Sequence, residues 1–294
     1  MGGVVIAGAA RTPMGGFQGA LAPAAAPDLG GVALRAALDA AGAGSVDEVV
    51  MGCVLPAGQG QAPARQAGFA AGLGDEVPAT TLNKMCGSGM AAAMLAFDRI
   101  ALGHARAIAA GGMESMTNAP YLLPGMRGGA RMGHAQAIDS MFLDGLEDAY
   151  DRGRLMGTFA EDCAEAFRFF RAAQDAYALA SLEAALAAQR EGAFAGEIAP
   201  VTLATRKGSI TVREDEQPGL ARPEKIPHLK PAFREGGTVT AANASSISDG
   251  AAALVLAAED AGLPLRARIL GHAGHAQAPG LFTTAPVPAA RKLL

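Results

Sequence analysis

The chain has no tryptophan, only three cysteines in 294 residues, and no uninterrupted apolar run near the roughly 18 residues of a membrane-spanning helix. An odd cysteine count without a CxxC pair excludes a disulfide framework and fits a reducing compartment, so the protein is read as cytoplasmic. The start, Met1-Gly2-Gly3-Val4-Val5-Ile6-Ala7, lacks the basic segment of a signal peptide and runs straight into an apolar strand. Excess positive charge is lacking too. With 24 basic against 28 acidic residues the net charge is −4, which argues against nucleic acid as the main partner. An anionic ligand would need a local cationic patch. No GxGxxG follows the first strand, which removes a dinucleotide-binding reading. What is abundant is apolar residues, half the chain, and 39 glycines, a pairing that points to tight turns in a packed protein rather than disorder.

Strand and helix alternate through the first part. Val4–Ala7 reads as a strand, and Asp28–Ala41 as a helix with Leu29, Val32, Leu34 and Leu38 at helical spacing and Asp28 as N-cap. Val46–Leu55 reads as a strand containing Cys53. Ala64–Leu73 reads as a helix opened by Pro63 and closed by Gly74. Thr80–Met85 is the next strand, then a helix from Gly87 to Leu102, then a strand from Ala105 to Ala110 ending at Gly111-Gly112. This alternation indicates a parallel sheet covered on both faces. From Asn118 the texture changes to a loop-rich stretch, a helical run from Gly157 to Ala193, and a polar loop over Lys207–Pro231. Asp249–Ala258 reads as an alanine-rich helix or helix–strand junction, and Arg266–Gly271 as a strand.

The segment Val77-Pro78-Ala79-Thr80-Thr81-Leu82-Asn83-Lys84-Met85-Cys86-Gly87-Ser88-Gly89 carries the chemistry. It reads as a strand, a tight turn with a cysteine, and a helix. Ligands of open α/β sheets sit at the carboxyl ends of strands, where Cys86 falls. A thiol at a helix N-terminus meets the positive end of the helix dipole and unpaired N–H groups, which favours the thiolate. Gly87 and Gly89 are expected to let the backbone turn and a substrate approach. On local sequence two readings of Cys86 stand side by side: a nucleophile, or a small buried hydrophobe.

Further motifs accompany it: Ala10-Arg11-Thr12-Pro13-Met14-Gly15, Gly111-Gly112-Met113-Glu114-Ser115-Met116-Thr117-Asn118-Ala119-Pro120, Pro231-Ala232-Phe233, Gly237-Thr238-Val239-Thr240-Ala241-Ala242-Asn243-Ala244-Ser245, Ser248-Asp249-Gly250-Ala251-Ala252 and Pro286-Val287-Pro288-Ala289. In this order and spacing the chain resembles the thiolase family, of the acetyl-CoA acetyltransferase type, over essentially its whole length. The resemblance implies an α/β thiolase fold. Residues 1–117 would form an N-terminal α/β half of βαβαβ type, 118–246 an inserted loop domain, 247–265 the return to that half, and 266–294 the start of a second half. It implies that Cys86 accepts an acyl group from an acyl-CoA, free CoA leaves, and acetyl-CoA attacks the acyl-enzyme to give a 3-ketoacyl-CoA, or the reverse. The Cys86 backbone N–H is an expected oxyanion donor.

By the same resemblance Met156 lines the acyl and pantetheine pocket, Ser245 contacts the pantetheine arm, and Phe233 and Leu146 lie beside it. Core packing is the other reading of Met156, Phe233 and Leu146, and a turn or cap that of Ser245. Phe282 stands where the family has methionine, which would tighten the acyl pocket. Leu155 replaces a family histidine, and Phe170 a capping serine or threonine. Arg222, Lys225 and Lys230 are the candidates for the CoA nucleotide end. Glu114 is set aside as structural. The family's Asn-Glu-Ala-Phe, Gly-His-Pro and Cys-x-Gly-Gly-Gly motifs are not found, so the chain is expected to lack the later part of the second half and its activity to be impaired. No cofactor and no metal are expected; His272 and His275 without a third ligand read as surface histidines. The expected partners are acyl-CoA and CoA, with no membrane, and further copies of the chain as a dimer or tetramer, driven by an uncovered apolar face. A non-catalytic, thiolase-like protein binding acyl-CoA or a partner is the alternative. A decarboxylating condensing enzyme is a weaker one, because Gly-Gly-Met-Glu-Ser-Met points away from it.

Overall fold

The structure, a computed structural model, describes residues 2–206 and 208–294. Met1 of the opening segment and Lys207 at the head of the expected polar loop lie outside the described residues. The strands are β1 Val4–Arg11, β2 Gly15–Gly16, β3 Glu48–Gly52, β4 Ala79–Leu82, β5 Ala107–Ser115, β6 Tyr121–Leu122, β7 Ile138–Asp139, β8 Val201–Thr205, β9 Gly208–Val212, β10 Ser248–Ala258 and β11 Ala267–Ile269. The helices are α1 Ala26–Ala41, α2 Pro63–Ala70, α3 Ser88–Ala101, α4 Met156–Phe167, α5 Arg171–Arg190, α6 Glu216–Leu220 and α7 Pro286–Leu293. They fall into two compact units. One holds the residues up to Gly145 with Ala195–Glu216 and Ile247–Ile269; the other holds Leu146–Phe194, Gln217–Ser246 and Leu270–Leu294.

The first unit is built on a mixed sheet in the order β11-β1-β10-β5-β3-β4, with β2 paired to β10. Successive side chains of a strand point to opposite faces, and here both faces are buried. Val5, Val49, Met51, Ala109, Val255 and Ala257 pack on one side with α1 and α2. Val4, Val50, Ile108, Ala110 and Leu256 pack on the other with Ala92, Ala96 and Ile100 of α3. A sandwich of that kind explains why these strands read as unbroken apolar runs.

Several expectations from sequence are corrected. The sheet is parallel for β4, β3 and β5, but β10, β1 and β11 run antiparallel to their neighbours. Ser248–Ala258 is a strand and not a helix: it sits between β1 and β5 with Val255, Leu256 and Ala257 fully buried, so packing overrides the helix preference of alanine. β5 runs through Gly111-Gly112 to Ser115 rather than stopping there, because a Cβ on Gly111 would collide with the Ala252 carbonyl of β10. Asp28 is not the N-cap of α1. Ala25 is, and the Asp28 carboxylate accepts its N–H at 3.3 Å from the third helical position. The helix opened by Pro63 ends at Ala70, and Gly72 at φ +81°, not Gly74, follows its end. The stretch expected to be loop holds β9 of the β8–β9 hairpin and the short helix α6.

In the second unit the expected single helical run is two helices, α4 and α5. The chain turns at Arg168, which takes the left-handed φ of +58° without a glycine. Phe170 is the N-cap of α5 and supplies no side-chain capping bond, as its apolar side chain dictates. No helix among the described residues is long and apolar enough to cross a membrane.

Candidate active site

β4 stops at Leu82 and α3 begins at Ser88, so Cys86 lies in the short turn that joins them. The turn is held by side chains from within it. Asn83 Oδ1 accepts the Met85 N–H at 2.9 Å. Ser88 Oγ accepts the Lys84 N–H at 2.8 Å and donates to the Met85 carbonyl at 2.6 Å. The Gly87 and Ser88 N–H groups bond back to the carbonyls of Lys84 and Met85. Together these bonds close the turn and point the chain into α3.

The residue in the left-handed region is Met85, at φ +50°. Gly87, the N-cap of α3, has φ −87°, and Gly89 lies within the helix, so neither expected glycine hinge bears the unusual dihedral. A non-glycine residue held there is under backbone strain, of a kind often found beside reacting groups. Cys86 itself is exposed. That removes the buried-hydrophobe reading.

Behind the turn, Glu114 of β5 reaches across to the segment that follows β3. Its carboxylate accepts the N–H groups of Val54 at 2.8 Å and Leu55 at 3.1 Å, and the Cys53 sulfur lies 3.5 Å away. Burial raises the Glu114 pKa against the opposing pull of those N–H donors. The Cys53 thiol is pushed up to about 12, first by burial and then by the Glu114 charge. Both causes favour the protonated thiol. Cys163 lies half-buried on α4.

The second unit gathers three of the expected pocket residues around the start of α4. Met156 is its first residue, and Gly157 lies so close to the Phe233 ring that a Cβ there would collide with it. Phe282 packs edge-to-face on Phe159 of α4, ring centres 6.2 Å apart, and the Arg154 guanidinium covers the Phe159 ring at 3.8 Å. Leu146 ends a π turn, Phe142–Leu146, and is half-buried; Ser245 is exposed two residues beyond Asn243.

Sequence reasoning missed how the segment carrying Phe233 and Ser245 is fixed. Glu161 of α4, 1 % exposed, accepts the Thr238 N–H at 2.9 Å, the Thr238 hydroxyl at 3.1 Å and the Val239 N–H at 2.8 Å. Asn243 accepts the Thr240 N–H at 2.7 Å and donates to Asp175 of α5 at 3.2 Å. An amphipathic helix gives no signal that one of its acids is turned inward; only the inward partner reveals it.

Arg222 and Lys225 lie at a 3₁₀ turn, Pro223–His228, and Lys230 follows it; all three are exposed. His275 Nε2 lies 3.1 Å from Gln277 Oε1. Among the described residues no three or more His, Cys, Asp or Glu side chains are grouped to hold a metal ion.

A family model described as "Thiolase, N-terminal domain" matches residues 4–260. Acetyl-CoA acetyltransferase of Pseudomonas aeruginosa is 48 % identical over 99 % of this chain and 76 % of its own length. Acetyl-CoA acetyltransferase 2 of Arabidopsis thaliana is 50 % identical over 99 % of this chain and 74 % of its own. The structure of acetyl-CoA acetyltransferase from Syntrophomonas wolfei superposes with a TM-score of 0.95 at 38 % identity, covering 100 % of this chain and 75 % of that one. The chain therefore spans about three quarters of the length of these relatives. A family match over most of the sequence, with relatives near half identity, makes this chain a member of the thiolase family with the thiolase fold.

Proposed function

We propose that this chain is an acyl-CoA acyltransferase of the acetyl-CoA acetyltransferase type, with Cys86 as acyl acceptor. The observation that carries the reading is an exposed cysteine in the turn between β4 and α3. The Cys86 sulfur attacks the thioester carbonyl and forms a new sulfur–carbon bond. The bond to the CoA sulfur breaks, and the proton lost by Cys86 ends on the departing CoA thiol. The Cys86 backbone N–H is the proposed donor to the oxygen that becomes negative. A second acetyl-CoA then gives up a methyl proton, its methyl carbon bonds to the acyl carbonyl carbon, the bond from that carbon to the Cys86 sulfur breaks, and the proton ends on the released Cys86 thiol, giving 3-ketoacyl-CoA. Leu146, Met156, Phe233, Ser245 and Phe282 are the proposed substrate-binding residues. CoA thioesters are substrates and no cofactor takes part.

A non-catalytic acyl-CoA-binding role is favoured by one observation: Cys53 is buried with its sulfur 3.5 Å from the Glu114 carboxylate, a position closed to a substrate carbon. Incubation with radiolabelled acetyl-CoA, followed by peptide mapping, decides between them. Label on Cys86, absent from Cys86→Ala, supports acyl transfer. CoA binding that is indifferent to Cys86→Ala supports the binder. Homo-oligomerisation in the cytoplasm completes the proposal; Met90 of α3 and Leu102 just after its end are strongly exposed, apolar surface suited to a partner copy.

A further inference from the structure

We propose that Asn83 is a positioning residue that fixes where the Cys86 sulfur stands, an inference that rests on Cys86 being the acyl acceptor. The Asn83 side chain uses both ends of its amide. Oδ1 accepts the Met85 N–H at 2.9 Å, and Nδ2 donates to the Val54 carbonyl at 3.3 Å. Val54 is itself fixed: its N–H is held by Glu114 at 2.8 Å, that of the adjacent Leu55 at 3.1 Å, and the Cys53 N–H bonds to the Leu82 carbonyl at the end of β4. A continuous path thus runs from β5 through the segment after β3 to the residue preceding the nucleophile.

That path ends where the backbone needs it. Met85 stands at φ +50°, a conformation that a methionine adopts only when its surroundings impose it. Release of its N–H lets the peptide relax toward the ordinary region, and a change in φ at Met85 swings every atom of Cys86. Ser88 grips the same turn from the helix side, through Lys84 and Met85. Asn83 is the grip from the sheet side. A misplacement of about 1 Å at a reacting atom costs up to roughly 100-fold in rate.

Single-turnover labelling of Cys86 by radiolabelled acetyl-CoA tests this in the full chain, with rates expressed per folded molecule from the thermal melt. Asn83→Ala removes both bonds. Asn83→Asp keeps an acceptor for the Met85 N–H but replaces the donor to Val54 with an oxygen that the Val54 carbonyl repels, a partial loss of the grip. The saturating rate is expected to fall about tenfold in N83A and to stay within about threefold of wild type in N83D, with half-saturation unchanged within about twofold. A purely structural residue lowers the melting temperature and leaves the saturating rate per folded molecule alone; that result overturns the proposal. If N83A does not fold, N83D and Asn83→Ser carry the comparison, and N83S at the wild-type rate overturns it. If the wild type takes no label, the acyl-acceptor reading falls by itself. Iodoacetamide alkylation of Cys86 then judges positioning: a change of about threefold or more in N83A, absent in N83D, supports it, and equal rates in all three overturn it.

Discussion

Gly52, the last residue of β3, lies directly against Ser88, the first residue of α3: a Cβ on Gly52 would stand 2.6 Å from the Ser88 Cβ. The helix that follows Cys86 is seated on the sheet at this point. Gly52→Ala forces that contact open. The substitution is expected to destabilise the chain by roughly 1–3 kcal/mol and to slow acylation of Cys86 together with it. Thermal melts and acetyl labelling measured on the same samples check both; an unchanged melting temperature would show that the helix start yields without strain.

Met85 gives a second, sharper test. Its side chain is exposed and its φ is +50°, so backbone conformation dominates its contribution. Glycine takes this dihedral freely, whereas a β-branched residue resists it. Met85→Gly is expected to stay within about 1 kcal/mol of wild type, and Met85→Ile to lose roughly 1–2 kcal/mol. Urea titration distinguishes the two. Equal losses would mean that side-chain contacts, not φ, set the sensitivity of the site.

Alkaline stability should report the buried thiol. Cys53 rises from 9.0 to about 12 on folding, so the folded chain binds its proton more tightly than the unfolded one. The resulting stability is complete below pH 9.0 and drains away as pH climbs toward 12. Cys53→Ser keeps a donor beside Glu114 and does not ionise. Relative to C53S, the wild type should lose roughly 1 kcal/mol more between about pH 8 and about pH 10. Parallel urea curves at the two pH values measure it, and a difference that does not move with pH would contradict the linkage.

Glu161 closes three hydrogen bonds from one segment while nearly sealed from solvent. Glu161→Ala leaves the Thr238 and Val239 N–H groups without that acceptor. A loss of roughly 3 kcal/mol is expected, with weaker acyl-CoA binding because the segment between Phe233 and Ser245 is freed. Glu161→Gln, which keeps one acceptor oxygen, should fall between. Calorimetric unfolding together with CoA titration separates a stability effect from a binding one.

What could be read from the residues was what neighbouring residues decide. The strand–turn–helix around Cys86 and the apolar spacing of α1 are local patterns, and both stand. The misreadings came where distant partners decide. Ser248–Ala258 has the composition of a helix, yet it becomes a strand because β1 and β5 flank it. Gly111 and Gly112 resemble a strand terminus, yet they continue β5, where β10 passes too close to Gly111, and Gly89 of α3 close to Gly112, for a side chain. Arg168 breaks a helix with no glycine or proline to announce it. Around Cys86 the turn itself was legible and its support was not. Asn83 is a common turn residue, and its second bond, to Val54, joins residues 29 positions apart.

Phe282 carries the last prediction. Its ring packs edge-to-face on Phe159 in the cluster at the start of α4, so it serves packing whatever else it does. Phe282→Met keeps apolar bulk, removes the ring contact, and opens room beside Phe159. Stability should fall by about 0.5–1.5 kcal/mol from the lost aromatic pair. If the ring also limits the acyl group, the ratio of butyryl to acetyl transfer onto Cys86 should rise by about tenfold, the scale on which an apolar pocket discriminates methylenes. Acylation rates for acetyl-, butyryl- and hexanoyl-CoA in both forms supply the ratio. A variant that is less stable but keeps the wild-type ratio would assign Phe282 to packing alone and remove it from the substrate-binding set.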